Sequence, residues 1–259
     1  MIRDLLKKKY VGMNKEFRFR GEEPGRLENF SDAVFALAIT LLLISTTPPT
    51  NFEQIKRFGL DLIPFALCIT LIVLIWSEHF VFFFRYGIRN GRIIFLNSLF
   101  LVIVLFYVYP LKFLTRLVLI PIAHVIGEED VLKEFSGIIK PQDVGDLMII
   151  YGVGAASVFF VLMMMYGYAL KNSEELELNE FEKFDTKTSI RTNLLMGLVP
   201  VLSVSLAIIF RGHWLAGPVA GFTYVLYTPV MFLHGKKVAR DRAKLFRPDD
   251  EQAKIDTPS

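Results

Sequence analysis

Long apolar runs separated by short charged connections dominate this chain. Six of them, roughly 31–48, 60–84, 93–111, 145–170, 192–210 and 214–234, are predominantly apolar. Each is close to the 20 or so residues that a helix needs to cross about 30 Å of hydrocarbon. Barrel strands would instead give alternating segments of about ten residues, and none of the six reads that way. The pattern predicts an all-α membrane protein with six transmembrane helices. Composition agrees: 53% of the 259 residues are hydrophobic, 24 of them phenylalanine, and the mean hydropathy is +0.44. That is too apolar for one soluble core. The first run follows a charged segment, with no small-residue cleavage site before the next span, and is expected to be retained. The lone cysteine, Cys68, lies inside the second run, where it reads as a packing residue.

Basic residues set the expected orientation. Residues 1 to 26 carry eight Lys and Arg against four acids, and the connection after the second span holds Arg85, Arg89 and Arg92 with no acid. By the positive-inside rule the N-terminus is cytoplasmic, and six spans return the basic C-terminal tail to the same side. Three regions follow: a basic arm (1–25), a six-helix domain (26–235) and a basic tail (236–259). The arm reads as a solvated positive flank or as a helix on the anionic inner leaflet. The connection 171–191 sits inside by parity yet is acidic, with Glu174, Glu175, Glu177, Glu180, Glu182 and Asp185. It reads most simply as a solvated linker; a contact with the basic arm or tail is the alternative.

Polar groups in the first three spans need an account, because ionisable groups at membrane depth are costly unless they pair or meet water. Asn29 or Ser31 is expected to cap the first helix, with Asp32 in its first turn. Trp76, Glu78 and His79 in the second span and Asn97 in the third would lie near the same side. A buried network is expected in which Ser31 or Asp32 accepts from His79, Trp76 or Asn97. Glu78 is expected to pair with Arg85 or Arg89. Along the first span Leu37, Thr40, Leu41, Ile44 and Pro48 share a stripe, which packing or lipid contact would equally explain.

Arg26 followed by Phe30-Ser31-Asp32, the AVFALAITLLL run, Trp76, His79, Asn97 and the YVYP turn ending in Pro110 resemble the potassium channels of the transmembrane-protein-175 family. The resemblance is ordered over residues 26 to about 116; the remainder matches only in number of spans. It implies that the first helix lines a pore. It further implies that Arg26, Phe30, Ser31, Asp32, Trp76, His79 and Asn97 form a structural network, that Leu37 is a hydrophobic constriction and that Thr40 belongs to a threonine ring associated with selectivity. Leu41 and Ile44 would continue the pore wall. Animal members carry two six-helix repeats and pair as dimers, so this single repeat would assemble as a homotetramer. The expected permeant ion is potassium, in a plasma membrane, with no cofactor and no TVGYG filter loop.

The chain has no Gly-rich phosphate loop and no metal-spaced Cys/His cluster, and its His are dispersed at 79, 124, 213 and 234. No enzyme, nucleic-acid partner or small-molecule substrate is expected; the lipid bilayer and further copies of the chain are. Two other functions fit the polar residues: a proton-coupled transporter or proton pathway using Asp32 and His79, and a non-conducting membrane scaffold.

Overall fold

The computed structural model describes residues 17–44, 50–126 and 143–245. Its helices are α1 (Arg26–Ile44), α2 (Phe52–Tyr86), α3 (Gly91–Ile126), α4 (Val144–Lys171) and α5 (Glu180–Ile209), and then a divided last segment. That segment runs through α6 (Ala216–Phe222), a 3-10 turn (Thr223–Leu226) and α7 (Tyr227–Leu245). Among the described residues, five segments are long and apolar enough to cross a membrane: Leu62–Tyr86, Gly91–Val108, Val144–Lys171, Glu180–Ile209 and Ala216–Leu245. To these α1 adds 19 residues, about 28 Å of helix at 1.5 Å per residue.

Several helices outrun the apolar stretches that predict them. α2 starts at Phe52, α3 continues to Ile126, α5 begins at Glu180 and α7 runs on to Leu245, through the boundary expected at 235. Beyond the hydrocarbon, charged residues keep the backbone bonds going. The last span, expected as one continuous helix over 214–234, is interrupted. Pro229 has no N–H to return to the carbonyl of Val225, and the chain tightens into a 3-10 turn just before it.

α1, α2 and α3 pack together, α3 also leans on α4, and α4 lies along α5; α6 packs against both α4 and α5, and α7 against α5. One apolar core runs through the first four helices, with Phe35, Ala38 and Leu42 of α1 against Ile72 and Phe82 of α2, Ile93 and Phe100 of α3 and Leu162 and Met165 of α4. A smaller cluster of Met148, Tyr151, Ala207 and Ala220 joins α4, α5 and α6. Gly154 permits the α3–α4 approach, since a Cβ there would stand 2.0 Å from the Tyr107 ring.

The end of the arm is not a loose flank. Arg20 N donates to Arg85 O at 3.3 Å and Gly21 N to Phe84 O at 3.1 Å, while Gly87 N takes Phe83 O at 2.8 Å. The last carbonyls of a helix have no partner within it, so the arm and the left-handed Gly87 (φ 59°) finish α2 between them. Phe17 is buried and meets Tyr86 edge-on at 5.7 Å, with Phe19 beside Phe84 at 4.7 Å.

A methyl group at residue 21 would stand 2.1 Å from the Phe83 carbonyl oxygen, a backbone atom that no side-chain rotation moves away. Gly21→Ala is therefore expected to lift the arm and cost about 1–3 kcal/mol, the usual penalty for overpacking. Thermal unfolding in detergent should fall and trypsin cleavage after Arg18 or Arg20 should accelerate. A variant with wild-type melting and cleavage would contradict the docked arm.

Candidate functional site

α1 begins differently from its sequence expectation. Its first residue is Arg26, and the Glu28 carboxylate reaches back to Gly25 N at 3.0 Å while also accepting from Arg89 Nε at 2.9 Å. Glu28, not Asn29 or Ser31, serves the helix start, and Asp32 lies in the second turn. On a helix advancing 100° per residue, Glu28, Ser31, Phe35, Ala38 and Leu42 fall on one side and are buried. Arg26, Phe30, Ala33, Leu37 and Thr40 fall on the other and are exposed.

The buried side carries a directional line of hydrogen bonds. His79 Nε2 of α2 meets Asn97 Oδ1 of α3 at 2.6 Å, Asn97 Nδ2 donates to Ser31 Oγ at 2.9 Å, and Ser31 Oγ donates to Leu27 O at 2.8 Å. With the imidazole proton on Nε2, every group donates to the next and the line ends on a carbonyl. His79, Asn97 and Ser31 are at most 1% exposed. Asn90 sets the register of α3, its Oδ1 accepting from Ile93 N at 3.1 Å at the helix start. The imidazole lies nearly parallel to Phe100 at 5.4 Å between Phe35 and Phe83, and its Nδ1 has no partner. Beside this line, Trp76 Nε1 donates to Asp32 Oδ1 at 2.7 Å.

Five of the seven residues expected in the network thus meet across α1, α2 and α3. Arg26 and Phe30 do not join these bonds. Phe30 is 60% exposed, and both lie on the uncovered side because positions 26 and 30 are turned well away from position 31. Glu78 is on an exposed part of α2, and Arg89, one of its expected partners, pairs with Glu28 instead.

Among the described residues, nothing covers the opposite side of α1. Leu37 is 51% exposed and Thr40 is exposed one turn further along, with Leu41 half-buried at the edge. The Thr40 hydroxyl donates to Ala36 O at 2.9 Å. Its proton is spent inside the helix, so its lone pairs face outward. The Ile44 side chain and Pro48 lie outside the described residues.

This constellation can be set beside known proteins. A family model described as endosomal/lysosomal potassium channel TMEM175 matches residues 26–107, the stretch from the start of α1 through most of α3. A potassium channel of Marivirga tractuosa is 42% identical over 238 residues, covering 92% of this chain and 96% of its own length. The chain belongs to the TMEM175 family. A potassium channel of Chamaesiphon minutus is 30% identical over 112 residues, 40% of this chain and 55% of that protein. The crystal structure of a threonine-to-alanine variant of the potassium channel MtTMEM175, in complex with a nanobody fusion protein, superposes with a TM-score of 0.81 at 44% identity. It covers 89% of this chain and is itself covered completely. TMEM175 is a family of membrane-embedded potassium channels, not of enzymes.

Outside the segment that the family model matches, this TMEM175 chain has a second polar cluster, in which the acidic connection makes the contact with arm and tail that the sequence offered only as an alternative. Glu182, fully buried, accepts from Arg18 Nη2 at 3.1 Å and Arg20 Nη2 at 3.0 Å of the arm and from Arg18 N at 2.8 Å. Asp185, 5% exposed, is bound by Arg242 of α7, whose guanidinium also covers the Phe181 ring at 5.1 Å. The Arg18 guanidinium is held above its ordinary pKa by its hydrogen bond to Glu182 and then by that carboxylate's charge. The expectation of a solvated acidic linker is corrected here: two of its carboxylates are buried anchors for the arm and the tail. A readable signal existed, since Asn179 and Glu182 form a reciprocal capping box at the start of α5.

Removing one partner from the buried line should be worse than removing both. Asn97→Ala strands the His79 N–H in an aromatic box, at about 1–3 kcal/mol for an unsatisfied buried donor. His79→Phe combined with Asn97→Leu leaves nothing polar stranded but the Ser31 hydroxyl, which keeps Leu27 O. Thermal unfolding in detergent is expected to rank the double variant above Asn97→Ala. The reverse order would show that the line is not what holds these helices.

Proposed function

We propose that the chain conducts potassium through a pore lined by α1 in a homotetramer. The observation that carries this reading is the division of α1: one side is bonded into α2 and α3, while the other presents Leu37 and Thr40 to whatever lies beyond a single copy. Fourfold assembly would stack a Leu37 ring and a Thr40 ring about 4.5 Å apart along the axis. Rings of leucine close a pore by excluding water, without complete occlusion. Opening then needs α1 to move outward or to rotate. Outward lone pairs on Thr40 are weak ligands, and a narrow apolar wall penalises an ion that holds its water tightly, so potassium passes more readily than sodium. Leu41 and Ile44 extend the wall. The names of the two relatives, both potassium channels, support the choice of ion.

In this reading the N- and C-termini are cytoplasmic, the arm (1–25) and tail (236–259) flank the channel domain (26–235), and the membrane is the plasma membrane. The proton-pathway reading would require Asp32 and His79 to exchange protons with water. His79 is 1% exposed within phenylalanine rings, which denies the pair a proton route through it, and Asp32, though exposed, is held by Trp76; both facts support a positioning role.

Purified protein in liposomes is expected to release potassium faster than sodium, measured against valinomycin as the full-release reference. Leu37→Ala should raise basal potassium flux severalfold. Thr40→Val should shift the bi-ionic reversal potential toward zero. Potassium flux equal to protein-free liposomes in wild type and Leu37→Ala alike would favour a non-conducting scaffold. Unchanged selectivity in Thr40→Val would remove Thr40 from its role.

A further inference from the structure

Away from α1, a cleft of about 390 Å³ lies between the start of α5 and the end of α7, lined by Phe184, Lys187, Arg191, Asp241, Lys244 and Leu245. Its walls are fixed on both sides. Arg242 binds Asp185, and Thr192 Oγ1 meets His234 Nε2 at 3.1 Å, so α7 is pinned to α5 at two levels. Lys187 and Arg191 are one turn apart on one face of α5, as are Asp241, Lys244 and Leu245 on α7. Among the described residues none of Lys187, Arg191 and Lys244 enters an ion pair. In the lining, three cations with no ion-pair partner among the described residues accompany one carboxylate. The arrangement contrasts with Arg18, Arg20, Arg89 and Arg242, each of which is bound to a carboxylate.

The depth of the cleft points to the class of ligand. Arg191 stands at the edge of the apolar run of α5, and Lys187 lies four residues outward, about 6 Å along the helix. That is within the headgroup layer, about 5–8 Å thick on each side of the hydrocarbon. Phe184 and Leu245 add apolar surface to the wall. We propose that this cleft is a binding site for the phosphodiester headgroup of an anionic lipid, held by Lys187, Arg191 and Lys244. Asp241 keeps the net charge at two positive and offers an acceptor to a headgroup hydroxyl, as in phosphatidylglycerol. Basic pockets between transmembrane helices suit such headgroups. An occupied site would tie α7 to α5 beside the Asp185 and Glu182 anchors, and so to the arm that finishes α2. The site stands apart from α1, and its test needs no ion flux, so failure of the pore reading would leave it untouched.

The test is lipid retention by the full-length protein, purified from vesicles of equal phosphatidylglycerol and phosphatidylcholine and read by native mass spectrometry. Wild type is expected to retain phosphatidylglycerol selectively. Arg191→Gln should lower its retention about fivefold, the effect of one basic residue at an anionic surface, and Lys187→Gln with Arg191→Gln and Lys244→Gln should abolish the selectivity. Lys236→Gln with Lys237→Gln and Arg240→Gln removes the same charge from α7 outside the cleft and should leave retention unchanged. Equal losses in both triple variants would overturn the site in favour of diffuse attraction. If the cleft triple does not elute as folded protein, Arg191→Gln decides, and wild-type retention in it would overturn the proposal. Displacement of the lipid by millimolar inorganic phosphate would make the cleft a soluble-anion site instead. A severalfold gain on neutralising Asp249, Asp250 and Glu251 would name the tail as its resident occupant. Either result contradicts lipid as the ligand.

Discussion

A buried polar group in a membrane helix has nowhere to turn for a partner except another helix, and this constraint determines the geometry of α1. Ser31, His79 and Asn97 lie beyond the reach of water, so the three helices that carry them must hold one rotation relative to one another. The line from His79 through Asn97 to Ser31 and Leu27 O uses each donor once. The Trp76 bond to Asp32 adds a second point of attachment and resists sliding as well as rotation. Once that side of α1 is committed, helical geometry leaves Leu37 and Thr40 on the other. In the proposed channel, the ion pathway would thus be located by bonds on the side of α1 turned away from it.

The same end of the bundle is secured by charge. Glu28, Glu182 and Asp185 take Arg89, the pair Arg18 and Arg20, and Arg242 respectively, so the α2–α3 connection, the arm and the tail all end on carboxylates. Exposed ion pairs contribute little to stability, but Glu182 has no exposure and also caps α5. It acts as the joint between the arm, which finishes α2, and the α4–α5 hairpin. The arm thus links the end of α2, the helix that also carries Trp76 and His79, to the start of α5.

The spans were legible because hydrophobic length is a direct reading of bilayer thickness. Their ends were not, since Phe52 to Lys56, Glu180 to Arg191 and Lys236 to Leu245 are charged or mixed stretches that continue as helix outside hydrocarbon. Members of the network could be named from their cost at membrane depth, whereas the bonding order could not. Asp32 takes the indole and Ser31 takes Asn97, a choice made by rotation of α1 that no residue count reveals. The same rotation turned Arg26 and Phe30 away. Glu182 was hidden among neighbouring acids, where composition suggests solvation and only the Asn179 to Glu182 spacing hints at a fixed role. Leu37 and Thr40 read from sequence alone as any apolar stripe; their assignment came from resemblance, and the uncovered side of α1 adds a geometric reason.

The central claim is that α1 has one side closed by the polar line and one side open to ions. Single cysteines introduced along α1 in a Cys68→Ser background, treated with a small thiol-reactive cation during liposome flux, test it most directly. The account predicts that cysteines at Ala33, Leu37 and Thr40 react and alter flux, while those at Phe35, Ala38 and Leu42 stay protected, giving a helical period of about 3.6 residues. Protection at Leu37 and Thr40 during potassium flux, or reaction at Ala38 and Leu42, would contradict it.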